Sequence, residues 1–540
     1  MAMPEEYKIS VRPLVEYVFR QGSIDSRFHP SSSMTDGTRA HQKIQKTYRE
    51  CDQKEVPLKT SVKHKSLLFH IEGRCDGIIA LPEGKMMIDE IKSTSGRLEG
   101  ISEDSHPVHW AQAICYAFMF AKEKQLDQIT VQLTYYQIAE EEIKQFKKTF
   151  LFDELEKFLG NIIEIYYPFA KLIINHRTLS IQSIKNINFP FDSFRQGQKK
   201  LAASVYASIR DDKELYVNAP TGVGKTISTL FPSIKAMGEG MVKRIFYLTA
   251  KTITRQAAEE SLSLMIKKGL VLKAVTITAK EKVCFNDQTV CQKDLCPFAD
   301  GYYDKVNSAI LDIYEHENLM DRMTIEKYAR KHSICPFEFS LDLAYIADVI
   351  ICDYNYVFDP RVYLKRFADE QKKWSILLID KAHNLIDRAR GMFSARLVKS
   401  AFLLIKKAYK GRNKPIYECS KKINQYFIDL RKKANKRGEC ILDGLPDALI
   451  NHLEEFIEYA EGELAAGGND SVLLDVYFSS LAFVKISKFY NDRYVTFAEL
   501  DRNDVNLKLY CIDPSELLSK MGKGYKSKIY FSATLRHRLF

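Results

Sequence analysis

Short apolar runs that close on polar residues recur through the latter two-thirds of this 540-residue chain: "ELYVNAP", "RIFYLTA", "DVIICDYN", "ILLID" and "KIYFSAT". Strands apolar on both faces belong to parallel sheets covered by helices, so the pattern predicts a doubly wound α/β domain. The earlier part of the chain has another rhythm. There "SLLFHIEGRCDGIIAL" and "KMMIDEIKST" predict a hairpin around "PEG", "HWAQAICYAFMFAKEK" a helix and "ITVQLTYYQI" a strand, an α/β order around one central sheet. "IQSIKNINFPFDSF", rich in Asn and Ser, separates the blocks and sets domain expectations of 1–180 and 189–540. Two segments break the rhythm of the second block and are expected as insertions: a Cys-bearing one over 283–336 and a helical, basic one over 388–518.

Length alone asks for two or three domains. Hydrophobic content of 46% and charged content of 28% fit a globular interior of good size. The N-terminal "MAMPEEYKIS" has acids where a signal peptide needs a basic start, and every long apolar stretch is interrupted by charge, Pro or His. No membrane partner and a cytoplasmic location are therefore expected. Eleven cysteines without a secretory signal argue against a disulfide framework. The formal charge of +11 is uneven: twelve Lys or Arg against Glu418 and Asp429 lie between Lys406 and Arg437, interleaved with Tyr409, Tyr417, Tyr426 and Phe427. Such a stretch holds a phosphate backbone and stacks bases, or is simply a solvated helical face.

"NAPTGVGKT" follows the strand-like "ELYV" and precedes the helix-like "ISTLFPSIKAM". In that context Thr221, Gly222 and Gly224 turn backbone N–H groups toward phosphates at a helix N-terminus, Lys225 reaches the β and γ phosphates, and Thr226 ligates Mg2+. Asp380, closing "ILLID", is the natural second Mg2+ ligand, at the strand end where open α/β sheets collect ligands.

These motifs, in this order, resemble the DinG/XPD-type superfamily 2 iron-sulfur DNA helicases from about Phe189 onward. "FRQGQ" is similar to the segment before the phosphate loop, which implies an adenine contact for Gln198; "APTGVGKT" is similar to motif I, "LTAKT" to motif Ia, "DKAH" to the DEAH box and "SAT" to motif III. The resemblance implies a RecA-like motor domain that uses ATP and moves 5′ to 3′ on single-stranded or forked DNA, in DNA repair or defence. Cys284, Cys291, Cys296 and Cys335 fall between motif Ia and the DEAH box, where the family carries a 4Fe-4S cluster. Four thiolates also suit tetrahedral zinc, and buried thiols are the plain alternative. Cys352, inside a strand pattern, is expected in the core. In the family the cluster domain and a helical arch shape the DNA channel, and the basic stretch lies in the arch-like insertion.

In the first block, Asp76 in "GRCDGII" and Glu90 in "IDEIKST" bring hard oxygen ligands to Mg2+ or Mn2+ from adjacent strands. Lys92 shares the strand face of Glu90 and orients the attacking water, whereas Asp89 alternates to the opposite face. His41 in "GTRAHQKIQ" is a candidate further metal ligand, and Gln112 with Tyr116 share a helix face that could touch DNA; taken alone, each is equally an ordinary helix surface. The set resembles the RecB-type nucleases of the PD-(D/E)xK class over roughly Tyr7 to Leu159, which implies a metal-dependent DNA nuclease. A degenerate DNA-docking fold is the alternative.

Two departures qualify the motor. Lys381 stands where the family has a glutamate that positions and deprotonates the attacking water; a lysine has no acceptor, so ATP binding without efficient hydrolysis is expected. The chain also stops shortly after "SATL", so the second motor lobe is expected to be absent from it, or supplied by a separate chain.

Overall fold

The computed structural model describes residues 4–25, 34–94, 98–138, 140–250, 252–287, 289–364, 369–434, 438–465, 470–502 and 504–535. Lys251 of the motif Ia match, Arg437 of the basic stretch and the chain end after residue 535 lie outside the described residues. Two compact units emerge. One comprises Met1–Arg177, Val290–Glu315 and Lys331–Cys335; the other comprises Thr178–Thr289, His316–Arg330 and Pro336–Phe540. The segment expected as an insertion of the second block is thus divided, with Cys291, Cys296 and Cys335 in the first unit and Cys284 in the second.

The first unit is built on a six-stranded mixed sheet. Its strands are β1 (Glu5–Ser10), β2 (Gln53–His64), β3 (Leu67–Ala80), β4 (Met86–Thr94), β5 (Gln128–Gln137) and β6 (Ile143–Leu151). Helices α1 (Val11–Phe19), α2 (Met34–Lys46), α3 (Pro107–Lys124) and the part of α4 (Phe152–Asn186) up to Arg177 complete the α/β pattern. The expected β3–β4 hairpin around "PEG" is present, and β1, β2 and β6 are strands beyond those expected. From Trp110 to Ala121 nearly every residue of α3 is buried, as for a helix apolar on all sides.

One irregularity of this sheet makes a site. β2 pairs antiparallel with β3 along most of its length. The other edge of β3 is shared, with β1 parallel to Leu67–Glu72 and β4 antiparallel to Gly77–Ala80. Where those two partners diverge, residues 73–76 have no ladder partner on that edge, and the freed β4 N–H of Ile91 is satisfied by the Asp76 carboxylate at 2.8 Å. The segment Val290–Glu315 is tied into this unit by backbone bonds from Ile24 N to Ala299 O (2.9 Å) and from Tyr303 N to Gly22 O (3.0 Å), with the Arg20 guanidinium 3.8 Å from the Tyr303 ring centre.

The second unit carries a seven-stranded, wholly parallel sheet in the order β10-β9-β11-β8-β12-β17-β7. Its strands are β7 (Glu214–Asn218), β8 (Arg244–Leu248), β9 (Ala274–Thr276), β10 (Leu319–Met320), β11 (Val349–Cys352), β12 (Ser375–Asp380) and β17 (Ser527–Ser532). The five expected runs are all in it, and Cys352 is fully buried in β11. Helices α5 (Gln198–Arg210), α6 (Lys225–Gly238) and α7 (Thr252–Lys267) cover it, burying Val205, Leu230, Ile234 and Leu262 against Ile245, Tyr247, Ile376 and Leu378. At about 25 cal/mol per Å2 of apolar area, such a core is the main stabilising element.

The 388–518 insertion is helical but also holds a second, antiparallel sheet. Its strands are β13 (Ala395–Val398), β14 (Glu439–Leu442), β15 (Tyr494–Asp501) and β16 (Asp504–Cys511), in the order β13-β16-β15-β14. Among the described residues no helix is long and apolar enough to cross a membrane.

Candidate functional site

In the first unit the sheet fork collects the expected residues. Asp76, 9% exposed, lies on β3, and Glu90, 1% exposed, lies on β4 with Lys92 two residues on. Lys92 Nζ donates to Glu90 Oε1 at 2.7 Å and to Gln112 Oε1 at 3.1 Å, and His41 Nδ1 on α2 is 3.4 Å from Asp76 Oδ1. Burial pushes Glu90 up to about 7, against the opposing pull of the Lys92 charge. For His41 burial acts downward, but the hydrogen bond and charge of Asp76 outweigh it, and the net shift is upward. Glu90 Oε2 is buried without a hydrogen-bond partner. Glu90 interacts electrostatically with Asp76 and His41, and carboxylates with an imidazole are donor types that Mg2+ or Mn2+ takes.

Asp89 takes the opposite role, as alternation requires. It accepts from Tyr48 Oη (2.6 Å), Thr134 Oγ1 (2.6 Å) and Gln132 Nε2 (3.0 Å), a satisfied buried carboxylate. Tyr116 departs from expectation. It is 3% exposed, packed on Gly73 so closely that a Cβ there would lie 2.6 Å from its ring, and its hydroxyl accepts from Gln112 Nε2 at 3.4 Å. Helical spacing puts Gln112 and Tyr116 on one face; there Tyr116 is buried against the sheet, and half-buried Gln112 accepts from Lys92.

Two residues of this site carry no sequence signal. Gln45 Nε2 donates to both the Asp76 carbonyl (3.0 Å) and Glu55 Oε1 (2.9 Å). Glu55 belongs to β2, where Val56, Leu58 and Val62 alternate at strand period, a signal that could have announced the strand but not the role of Glu55.

In the second unit β7 ends in the loop Ala219–Gly224, and Lys225 opens α6. Gly222 and Gly224 have φ of 87° and 79°, a left-handed backbone that aims N–H groups across the helix N-terminus. Lys225 Nζ donates to the carbonyls of Ala219 (2.9 Å) and Pro220 (2.8 Å). Burial pulls its pKa down, with the Asp380 charge opposing. Thr221 stands in the loop between them, and a cavity of about 690 Å3 beside it is lined by Arg195, Lys200, Ser204, Tyr216, Pro220 and Gly222 among others. That volume suits a nucleoside. Gln198, expected at the adenine, is instead 2% exposed; its Oε1 accepts from Arg195 N at 2.9 Å and its amide lies beneath Gly224. Arg195 itself reaches Gly222 O at 2.7 Å.

Asp380 is 6% exposed at the end of β12. Burial raises its pKa, and the Tyr247 hydroxyl, which donates at 3.0 Å, partly offsets that. Thr226 hydrogen-bonds the same hydroxyl, so the two expected Mg2+ ligands share one tyrosine. A hydroxyl in an otherwise apolar parallel strand was the signal for Tyr247. Tyr354 donates to the Asp380 carbonyl, and Lys381 follows with φ of 50°. His383 Nδ1 meets Ser532 Oγ and, at 3.3 Å, Thr534 Oγ1, joining the "DKAH" and "SAT" segments.

A second cavity of about 710 Å3 in this unit is lined by Arg255, Lys280, Lys282, Tyr356, Tyr363 and Arg388 among others. The basic helix Lys414–Lys433 is less open than its composition suggests. Tyr409 and Phe427 are fully buried, and Lys422 and Lys432 pair with Glu455 and Asp429 at 3.2 Å. Those two aromatics are core and cannot stack bases. Of the four cysteines expected as cluster ligands, Cys291 and Cys296 are buried and Cys284 and Cys335 half-buried.

The DEAD_2 family model matches residues 260–402. The chain is 24% identical over 268 residues to a regulator of telomere elongation helicase 1 homolog of Caenorhabditis briggsae, covering 42% of this chain and 26% of that protein. It is 24% identical over 196 residues to the ATP-dependent DNA helicase XPD of Sulfolobus acidocaldarius, covering 35% and 33%. A solved XPD helicase structure aligns over 64% of this chain and 60% of that one, at 16% identity and a TM-score of 0.44. The chain therefore spans about a quarter to a third of the curated relatives it matches, and its likeness is to XPD-like superfamily 2 helicases.

Proposed function

We propose that this chain is an ATP-binding module of an XPD-like DNA helicase, joined to a metal-dependent DNA nuclease in its first unit. The observation that carries the motor half is the convergence of Lys225, Thr226 and Asp380 through Tyr247 at one end of a parallel sheet. Lys225 and the loop N–H groups bind the β and γ phosphates, while the cavity beside Tyr216 and Arg195 takes the nucleoside. Thr226 and Asp380 hold Mg2+, which when bound neutralises charge on the transferring phosphate. Lys381 offers no acceptor to an attacking water, so the chain binds ATP more readily than it splits it. The basic and aromatic cavity around Arg255, Tyr356 and Arg388 is the place for single-stranded or forked DNA, along which 5′ to 3′ movement is part of the same proposal.

Cys284, Cys291, Cys296 and Cys335 are proposed as 4Fe-4S ligands on their spacing and all-thiol donor chemistry. A brown protein with about four irons per chain supports this; a colourless one with stoichiometric zinc refutes it.

In the first unit Glu90 and Asp76 hold Mg2+ or Mn2+ with His41, and Lys92, fixed by Glu90 and Gln112, orients the attacking water. The metal, when bound, acidifies that water and polarises the phosphodiester. Lys381 favours a second reading in which DNA cleavage proceeds without ATP. Incubating the chain with Mn2+ and forked or single-stranded DNA, with and without ATP, decides between them. Cleavage abolished by Glu90→Gln or Lys92→Ala and indifferent to ATP supports the second; absence of cleavage beside intact DNA and ATP binding leaves a docking fold.

A further inference from the structure

We propose that Glu55 is a protein ligand of the divalent cation held by His41 and Asp76, so that this metal is gripped from α2, β2 and β3 together. The role of Glu55 presupposes the metal-dependent cleavage proposed above. One ligand atom each from His41, Glu55 and Asp76 lie within 4.8 Å of one another, the one such set of three among the described residues. One imidazole and two carboxylates are hard-to-borderline donors that suit Mn2+ or Mg2+.

The backbone brings Glu55 there. Ladder pairs Lys54↔Gly77 and Val56↔Cys75 flank it, so it stands opposite Asp76 on the neighbouring strand. Its φ of 52° is left-handed near the start of β2, a conformation that a side-chain-bearing residue adopts only at a cost. Residues kept in such states cluster at functional sites. Gln45 Nε2 fixes the arrangement by bonding Glu55 Oε1 and the Asp76 carbonyl at once. The second, independent sign is Glu90, 1% exposed with Oε2 unpartnered, whose charge acts on both Asp76 and His41. A buried carboxylate oxygen without a donor is costly, and a cation beside Asp76 removes that cost. Glu55 has another partner, Arg74 Nη1 at 3.9 Å, but both side chains are half exposed and that pair is weak.

The test is direct Mn2+ binding to the full chain, stripped of metal, followed by calorimetry and by the electron paramagnetic resonance signal of free Mn2+. The wild-type chain is compared with Glu55→Gln, Glu55→Gly and Asp76→Asn. Expected are loss of binding in Asp76→Asn and at least a tenfold higher Kd in both Glu55 variants. Glycine relieves the left-handed strain, so Glu55→Gly melts at or above the wild type without metal and separates lost ligation from lost folding. Wild-type affinity in folded Glu55 variants, with Asp76→Asn still defective, overturns the role of Glu55 and spares the cleavage proposal. No Mn2+ binding by the wild-type chain at millimolar metal overturns both.

Discussion

The hydroxyl of Tyr247, on β8, donates to Asp380 Oδ2 on β12 at 3.0 Å and is itself hydrogen-bonded by Thr226. Tyr247→Phe therefore leaves the strand in place but frees Thr226 and Asp380, the proposed Mg2+ ligands, to drift. ATP binding in the presence of Mg2+ is expected to weaken about three- to tenfold, with little change in EDTA, when followed with a fluorescent ATP analogue. Equal losses with and without Mg2+ would show that Tyr247 acts on the fold instead.

Gly224 sits at φ 79° with the Gln198 amide pressed against it. Any Cβ there meets both a forbidden backbone region and a buried side chain. Gly224→Ala is expected to reduce ATP affinity by at least tenfold. Pairing it with Gln198→Ala restores only part of that loss, because the backbone strain remains.

Lys381 already holds a left-handed backbone, so Lys381→Glu changes the side chain without a new conformational demand. Phosphate release should rise by at least tenfold over the wild-type chain while ATP affinity moves by only a few-fold. An unchanged rate would place the hydrolytic defect elsewhere.

Glu90 is held near 7 instead of 4.5, chiefly by burial. Its folded form prefers the proton, so below pH 4.5 both states are protonated and nothing is lost. Between 4.5 and 7 the unfolded chain ionises first, and metal-free stability falls, the full penalty being present above 7. Glu90→Gln should abolish that fall and stabilise the metal-free chain at pH 8 by on the order of 1–3 kcal/mol. Any metal-dependent cleavage should rise as pH climbs through neutrality, because both Glu90 and His41 must shed protons to ligate. Denaturant melts across pH, with and without Mn2+, check both signs.

Tyr116 is buried against Gly73 of β3. Tyr116→Phe should leave DNA affinity within about twofold while loosening Gln112 and, through it, Lys92. A fall in cleavage rate with unchanged binding, read by anisotropy on the same oligonucleotide, distinguishes positioning from contact. Lost DNA binding would return Tyr116 to the interface.

Local order carried much of this protein. A loop between strand and helix, an aspartate closing a continuous apolar strand, and Asp76, Glu90 and Lys92 at strand spacing are consequences of period and of backbone chemistry, both written in adjacent residues. The antiparallel sheet of the 388–518 insertion, and the strands β1 and β6, were not legible, because exposed or short strands lack a distinctive apolar run. Neither were the long-range choices. The sequence placed Gln112 and Tyr116 on one helical face but could not say whether that face meets solvent or sheet. It offered Gln198 to the nucleoside, but gave no sign of the packing that sets its amide beneath Gly224.

Chemistry that depends on neighbours in the chain was determined by the sequence: a glycine-bearing loop between strand and helix, Glu90 and Lys92 on one strand face, and a Lys381 side chain without an acceptor. Chemistry that depends on neighbours in space was decided by the tertiary structure. Tyr247 beside Asp380, and Glu55 and Gln45 beside Asp76, come from strands and helices separated by tens to hundreds of residues. The physical reason is register. Which residue of one strand faces which of the next is set by the packing of whole faces and by the fork in β3, and no local pattern encodes it.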